Sequence, residues 1–156
     1  MKIKWKMLIS CIVIPLVLGA VAGFLSKDSM NIFDRLNKPP LSPPRWLFPF
    51  VWTILYTLMG IASYLVLTSG IAQKDITKEM KVYGLQLLFN FLWKFWFFGL
   101  GWFWFSFIWL VVLWLLILLI TAVFFRISKP AAYLLMPYLV WVAFAGYLNL
   151  AIVLLN

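Results

Sequence analysis

Residues 104–125 read WFSFIWLVVLWLLILLITAVFF, 22 residues in a row without a charge and with only Ser106 and Thr121 polar. At about 1.5 Å of rise per residue this run spans the roughly 30 Å hydrocarbon layer of a bilayer. A helix apolar on every side belongs in lipid, or inside a larger core than a chain of 156 residues can build. Working outward from it, four more apolar runs come into view at 131–155, 81–100, 46–69 and 7–25. The expected fold is all-α, an integral membrane bundle of five transmembrane helices, forming one domain over 1–156 with no fixed-period repeat and no soluble domain appended.

Composition agrees: 66% of the residues are hydrophobic and 11% are charged. A net charge of +9 would ordinarily suggest nucleic acid. The basic residues are not gathered on a face, however; they fall between the apolar runs, which argues for a membrane and against a nucleic-acid partner. Eight of them lie on the side of the N-terminus and four in the loop 26–45, with Lys94 left inside a run. This imbalance predicts a multi-pass protein whose N-terminus is cytoplasmic and whose loop 26–45 and C-terminus lie outside. The first run follows Lys2, Lys4 and Lys6 as a signal peptide would, but its length of about 19 residues exceeds the roughly 7 to 15 of a signal segment and reads as a retained span. A single cysteine, Cys11, and no histidine leave no intrachain disulfide and no ordinary metal site. Cys11 reads as a small buried hydrophobe, and the acids Asp28, Asp34, Asp75 and Glu79 are all expected in loops.

Prolines at 39, 40, 43 and 44 make the loop 26–45 stiff rather than floppy. The turn Gly99-Leu100-Gly101 is so short that the third and fourth spans must form a tight antiparallel pair. Of the ten tryptophans, Trp5, Trp46, Trp102 and Trp104 lie at span ends, where an interfacial belt accounts for them, and Trp109 and Trp114 read as packing. Three spans carry mixed polar and aromatic stripes at helical spacing: Trp52, Tyr56, Met59, Gly60 and Ser63; Tyr83, Gln86, Asn90, Trp93 and Phe97; Pro137, Trp141, Ala145, Leu148 and Asn149. Polar groups are costly in lipid, so these stripes are expected to turn inward. Counting rise per residue places Trp52, Asn90, Trp93, Ala145 and Leu148 at one level in the outer half. Periodicity alone leaves an aromatic ligand cavity and a helix interface held by amide hydrogen bonds equally open.

Four blocks in order carry a resemblance: Lys38-Pro39 with Pro43-Pro44; Val51-Trp52-Thr53-Ile54-Leu55-Tyr56-Thr57-Leu58-Met59-Gly60; Asn90-Phe91-Leu92-Trp93 with Phe97-Phe98; and Pro137-Tyr138-Leu139-Val140-Trp141 with Phe144-Ala145 and Leu148-Asn149. Over nearly the whole chain the sequence resembles the translocator protein, or tryptophan-rich sensory protein, family. The resemblance implies a five-helix bundle that usually forms a homodimer in a bacterial cell membrane and binds protoporphyrin IX or a related tetrapyrrole, or a benzodiazepine-type molecule, as a ligand rather than a cofactor. It implies ligand contacts at Trp52, Asn90, Trp93, Trp141, Ala145 and Leu148. The function expected from it is a receptor or sensor. Light-dependent porphyrin breakdown, with Trp52 and Trp141 as candidate catalytic residues, and transport of tetrapyrrole or lipid are the alternatives it leaves.

The chain departs from the family pattern at three places. Leu41 stands where a loop tryptophan is common, no basic residue follows Tyr147, and Lys94 replaces a neutral residue. The second departure counts against cholesterol binding through a C-terminal motif. Lys94 reads either as a snorkelling residue or as the partner of a ligand carboxylate, beneath the loop that holds Asp28 and Asp34. Gly19 and Gly23 form a small-residue pair that suits a dimer contact or internal packing equally.

Overall fold

The computed structural model describes residues 2–26 and 34–156, so Asp28 lies outside the described residues. Five long helices account for most of them: α1 (Trp5–Leu25), α2 (Leu47–Leu67), α3 (Gln73–Lys94), α4 (Phe103–Ile127) and α5 (Lys129–Leu155). Four of the expected spans thus match within two residues at each end. The third does not, because α3 begins eight residues before position 81. Its first two turns hold Gln73, Lys74, Asp75, Lys78 and Glu79, which are ordinary helix formers, and Asp75 in the first turn complements the helix dipole. Hydropathy marks where a helix enters lipid, not where it begins, so Asp75 and Glu79 are helical rather than in a loop. For the same reason four helices, α1, α2, α4 and α5, are long and apolar enough over their length to cross a membrane.

The helices pack in a ring in the order α1, α2, α5, α4, α3, with α3 closing back on α1. At the end of α3 the backbone widens into a π turn, Phe95–Gly99, and Gly101 takes φ +66°, a conformation that suits glycine. This reverses the chain into α4 as a tight hairpin. The α4–α5 connection is shorter still, a single extended residue, Ser128, followed by Pro130 in the first turn of α5. Polar hydroxyls are neutralised within their own helices: Ser106 Oγ donates to the Trp102 carbonyl at 2.6 Å and Thr121 Oγ1 to that of Ile117 at 2.7 Å.

Two contacts fix the outer parts of the bundle. A Cβ on Gly60 would fall 2.5 Å from Ile12 Cα and 2.6 Å from the Cys11 carbonyl oxygen, so α1 and α2 touch backbone to backbone there. Cys11 itself is half-buried. At the other end the proline-rich loop is bound to the end of α5. The backbone N–H of Asn37 donates to Asn156 Oδ1 at 3.1 Å, Asn156 Nδ2 donates to the Asn37 carbonyl at 3.0 Å, and Tyr147 Oη donates to that of Pro40 at 3.0 Å. Leu41 sits exposed at the apex of a turn, with φ +72°.

Candidate functional site

All five residues of the α2 stripe and all five of the α3 stripe are buried. On α5, Ala145, Leu148 and Asn149 of the expected stripe are buried and Trp141 is half-buried, so the stripe fails only at its first member. Pro137 is exposed, whereas Tyr138, Val142, Ala145 and Asn149 are buried. The i, i+4, i+7, i+11 spacing of these four was present in the sequence, but a single-residue shift rotates the stripe by about 100° and Pro137-Trp141-Ala145 fits the same template.

These faces enclose a cavity of about 380 Å3 between α1, α2, the end of α3, α5 and the segment 45–49. Its room comes from small residues, Gly19, Ala20 and Gly23 on α1 and Ala145 on α5, and its walls from rings, among them Phe48, Trp52, Trp93 and Trp141. The exposed Gly23, Arg45 and Thr53 line its open side. Trp52 stacks on Tyr56 with centroids 5.4 Å apart and meets Tyr138 edge to face at 6.2 Å; Phe48 meets Trp141 at 6.2 Å in the same way. Trp93 is locked by its indole N–H to Asn149 Oδ1 at 3.2 Å, and Asn149 Nδ2 donates on to the Phe103 carbonyl at 2.9 Å.

Of the six expected ligand contacts, Trp52, Trp93, Trp141 and Ala145 line this cavity, while Asn90 and Leu148 do not. Leu148 is buried in the packing, and Asn90 is spent inside the helix interface. Tyr56 Oη donates to Asn90 Oδ1 at 2.7 Å, Asn90 Nδ2 to Tyr138 Oη at 2.8 Å, and Tyr138 Oη to Gln86 Oε1 at 2.7 Å. Cavity and amide-bonded interface, alternatives in the sequence, are therefore both present and adjoin at Tyr56. Tyr138 and Arg45 belong to this region and were not expected in it.

Two pairs of alternatives left open by the sequence, those for Lys94 and for Gly19 and Gly23, are narrowed. Lys94 does not snorkel: it is 7% exposed, and its Nζ turns inward to donate to Tyr56 Oη at 2.7 Å, lying 4.3 Å from the centroid of the Trp52 ring. The Asp34 carboxylate pairs instead with Arg45 at 2.9 Å and with Lys38 at 4.0 Å. In the glycine pair, Gly19 is packed inside the bundle, while Gly23 is exposed with nothing within 4 Å of its side-chain position. A side chain at Gly19 would collide with the Tyr56 ring, and both glycines line the cavity.

The sequence profile of the TspO/MBR family matches residues 11–155, nearly the whole chain and all five helices. The chain belongs to the TspO/MBR family. It is 41% identical to the tryptophan-rich protein TspO of Chlorobaculum tepidum over 147 residues, 94% of this chain and 93% of that protein. It is 35% identical to the tryptophan-rich sensory protein of Cereibacter sphaeroides over 138 residues, covering 88% and 84% of the two chains. With the translocator protein of Bos taurus it shares 33% identity over 142 residues, 85% of this chain and 82% of that one. Membership of the TspO/MBR family and four strongly apolar helices make it a multi-pass membrane protein.

Proposed function

We propose that the chain is a membrane receptor holding a planar, hydrophobic ligand of the tetrapyrrole class, such as protoporphyrin IX, between Trp52, Trp93, Trp141 and Ala145. The observation that carries this reading is the cavity itself: rings on its walls, small residues making its room, and an open side through which a ligand larger than the enclosed volume can project. A volume of about 380 Å3 lies within the range of about 300 to 1,000 Å3 usual for ligand sites. Benzodiazepine-type molecules meet the same requirements of flatness and apolar surface.

The test is a porphyrin titration in detergent, followed by quenching of tryptophan fluorescence. Ala145→Phe puts a ring into the cavity; it is expected to weaken binding at least about tenfold while thermal melting is preserved, because the cavity side has room for the new atoms. Undiminished binding in a folded Ala145→Phe protein places the site elsewhere. Because Trp52 and Trp141 both line the cavity, light-dependent breakdown of the bound porphyrin is the second reading. Illumination separates the two: loss of the porphyrin spectrum that disappears in Trp52→Phe or Trp141→Phe favours breakdown, and a stable spectrum favours a receptor. The name of the bovine relative, translocator, keeps transport as a third reading, which flux in sealed vesicles tests.

We also infer that α3 spans the membrane as a fifth helix through its apolar part, 82–94, and the π turn. The hydrogen bonds between Asn37 and Asn156 support it. They hold the α1–α2 loop and the end of α5 on one face of the bundle, and only an even number of crossings between those points does so. The basic residues then favour a cytoplasmic N-terminus with that loop outside.

A further inference from the structure

Two cations line the cavity, and they differ in what they already hold. Arg45 is exposed and paired with the Asp34 carboxylate at 2.9 Å. Lys94 is buried, and among the described residues no carboxylate lies within 4.0 Å of its Nζ. Among the described residues its amino group has one hydrogen bond, to Tyr56 Oη at 2.7 Å, and two ring faces, Trp52 at 4.3 Å and Tyr56 at 4.9 Å. An ammonium has three N–H donors, so donor capacity remains on a side chain that lines the cavity.

The other hydroxyls on the cavity wall are committed. Ser26 Oγ donates to the Ala22 carbonyl at 2.6 Å and Thr53 Oγ1 to the Pro49 carbonyl at 2.7 Å. Tyr56 donates inward to Asn90, and from there each donor passes its hydrogen further from the cavity, through Tyr138 to Gln86. At the cavity end this chain therefore offers an acceptor, the Tyr56 oxygen, and Lys94 is the donor it faces. Leaving a cation in an apolar wall without a counter-ion is costly, and an incoming anion relieves that cost. A charge-assisted hydrogen bond in such a site is stronger than one between neutral groups.

We propose that the cavity selects acids, with Lys94 as the residue that holds a carboxylate of the ligand and Tyr56 as the positioning residue that aims the amino group. The ligand class is a flat apolar body carrying a carboxylate that enters with it. This rests on the receptor reading above and narrows it from flat hydrophobic molecules to acids.

Protoporphyrin IX and its dimethyl ester are the probes, because they share the ring and differ in the carboxylates. Wild type is expected to bind the acid about tenfold or more tightly than the ester, the span of one hydrogen bond to a charged group. Lys94→Met should remove that preference by weakening acid binding with the ester changed less than about twofold, and Lys94→Arg should restore part of it. Tyr56→Phe should reduce the acid-to-ester ratio by less than Lys94→Met does, a change in ratio that mere loosening of the bundle would not produce. Equal affinity of wild type for both probes overturns the proposal without any variant and leaves the receptor reading standing. Parallel loss of acid and ester in a folded Lys94→Met protein overturns it as well. Failure of wild type to bind either probe overturns both readings.

Discussion

Two regions of this bundle are built from the same residue types and do opposite things with them. Between α3 and α4 runs an aromatic seam: Phe89 stacks on Trp109 with centroids 4.2 Å apart, and Trp96 lies parallel to Trp102 at 5.8 Å and edge-on to Trp109 at 5.8 Å. The Trp109 indole donates to the Phe89 carbonyl at 2.9 Å, so this ring is held by ring faces and by backbone. On the other side of the bundle, Trp52, Trp93 and Trp141 share a cavity wall with Gly19, Ala20 and Ala145, whose side chains are small or absent. Tryptophan content does not mark a binding site. What marks it is the size of the residue on the facing helix.

That contrast can be broken at three places, in decreasing order of expected effect. Gly60→Val forces a side chain into the backbone of α1 at Ile12 and Cys11 and should cost about 3 kcal/mol or more, because two backbones cannot both yield. Binding should fall with stability as α1, one wall of the cavity, is pushed away; a variant that melts and binds like wild type would show that α1 is no wall. Asn90→Leu removes the acceptor of the Tyr56 hydroxyl and one donor to Tyr138, which keeps its own bond to Gln86, and should cost about 2 kcal/mol in thermal melting, without removing any cavity-lining atom. If porphyrin affinity fell more than the acid-to-ester ratio accounts for, Asn90 would be a direct contact after all. Trp109→Phe removes one hydrogen bond from the seam and should cost only about 1 kcal/mol, with affinity changed less than about twofold. A large loss of binding there would join seam and cavity into one unit.

The five helices and the inward faces of α2 and α3 were legible because hydrophobic run length and helical period are local properties. The start of α3 was not, since Gln73 to Lys81 is polar yet helical, and propensity, rather than hydropathy, decides it. On α5 the buried Ala145, Leu148 and Asn149 were legible but the start of the stripe was not: Pro137 and Tyr138 both begin acceptable stripes, and only the partners on α2 and α3 choose between them. Lys94 was the least legible, because its direction is decided by Tyr56, 38 residues away on another helix. Gly19 was ambiguous for the same reason. A small residue shows that something comes close, and whether that is a second copy or the Tyr56 ring is settled by the fold.

Ser128, the one residue between α4 and α5, bears on how the molecule comes together. A connection of that length leaves almost no loop to close, so the pair carries hardly any entropic cost of association and is expected to enter the bilayer as a preformed hairpin. α2 then has a ready surface on α5, and α1 is held chiefly through α2. On this order of assembly the seam side is present early, and the cavity comes into being only when α1 finds its place last.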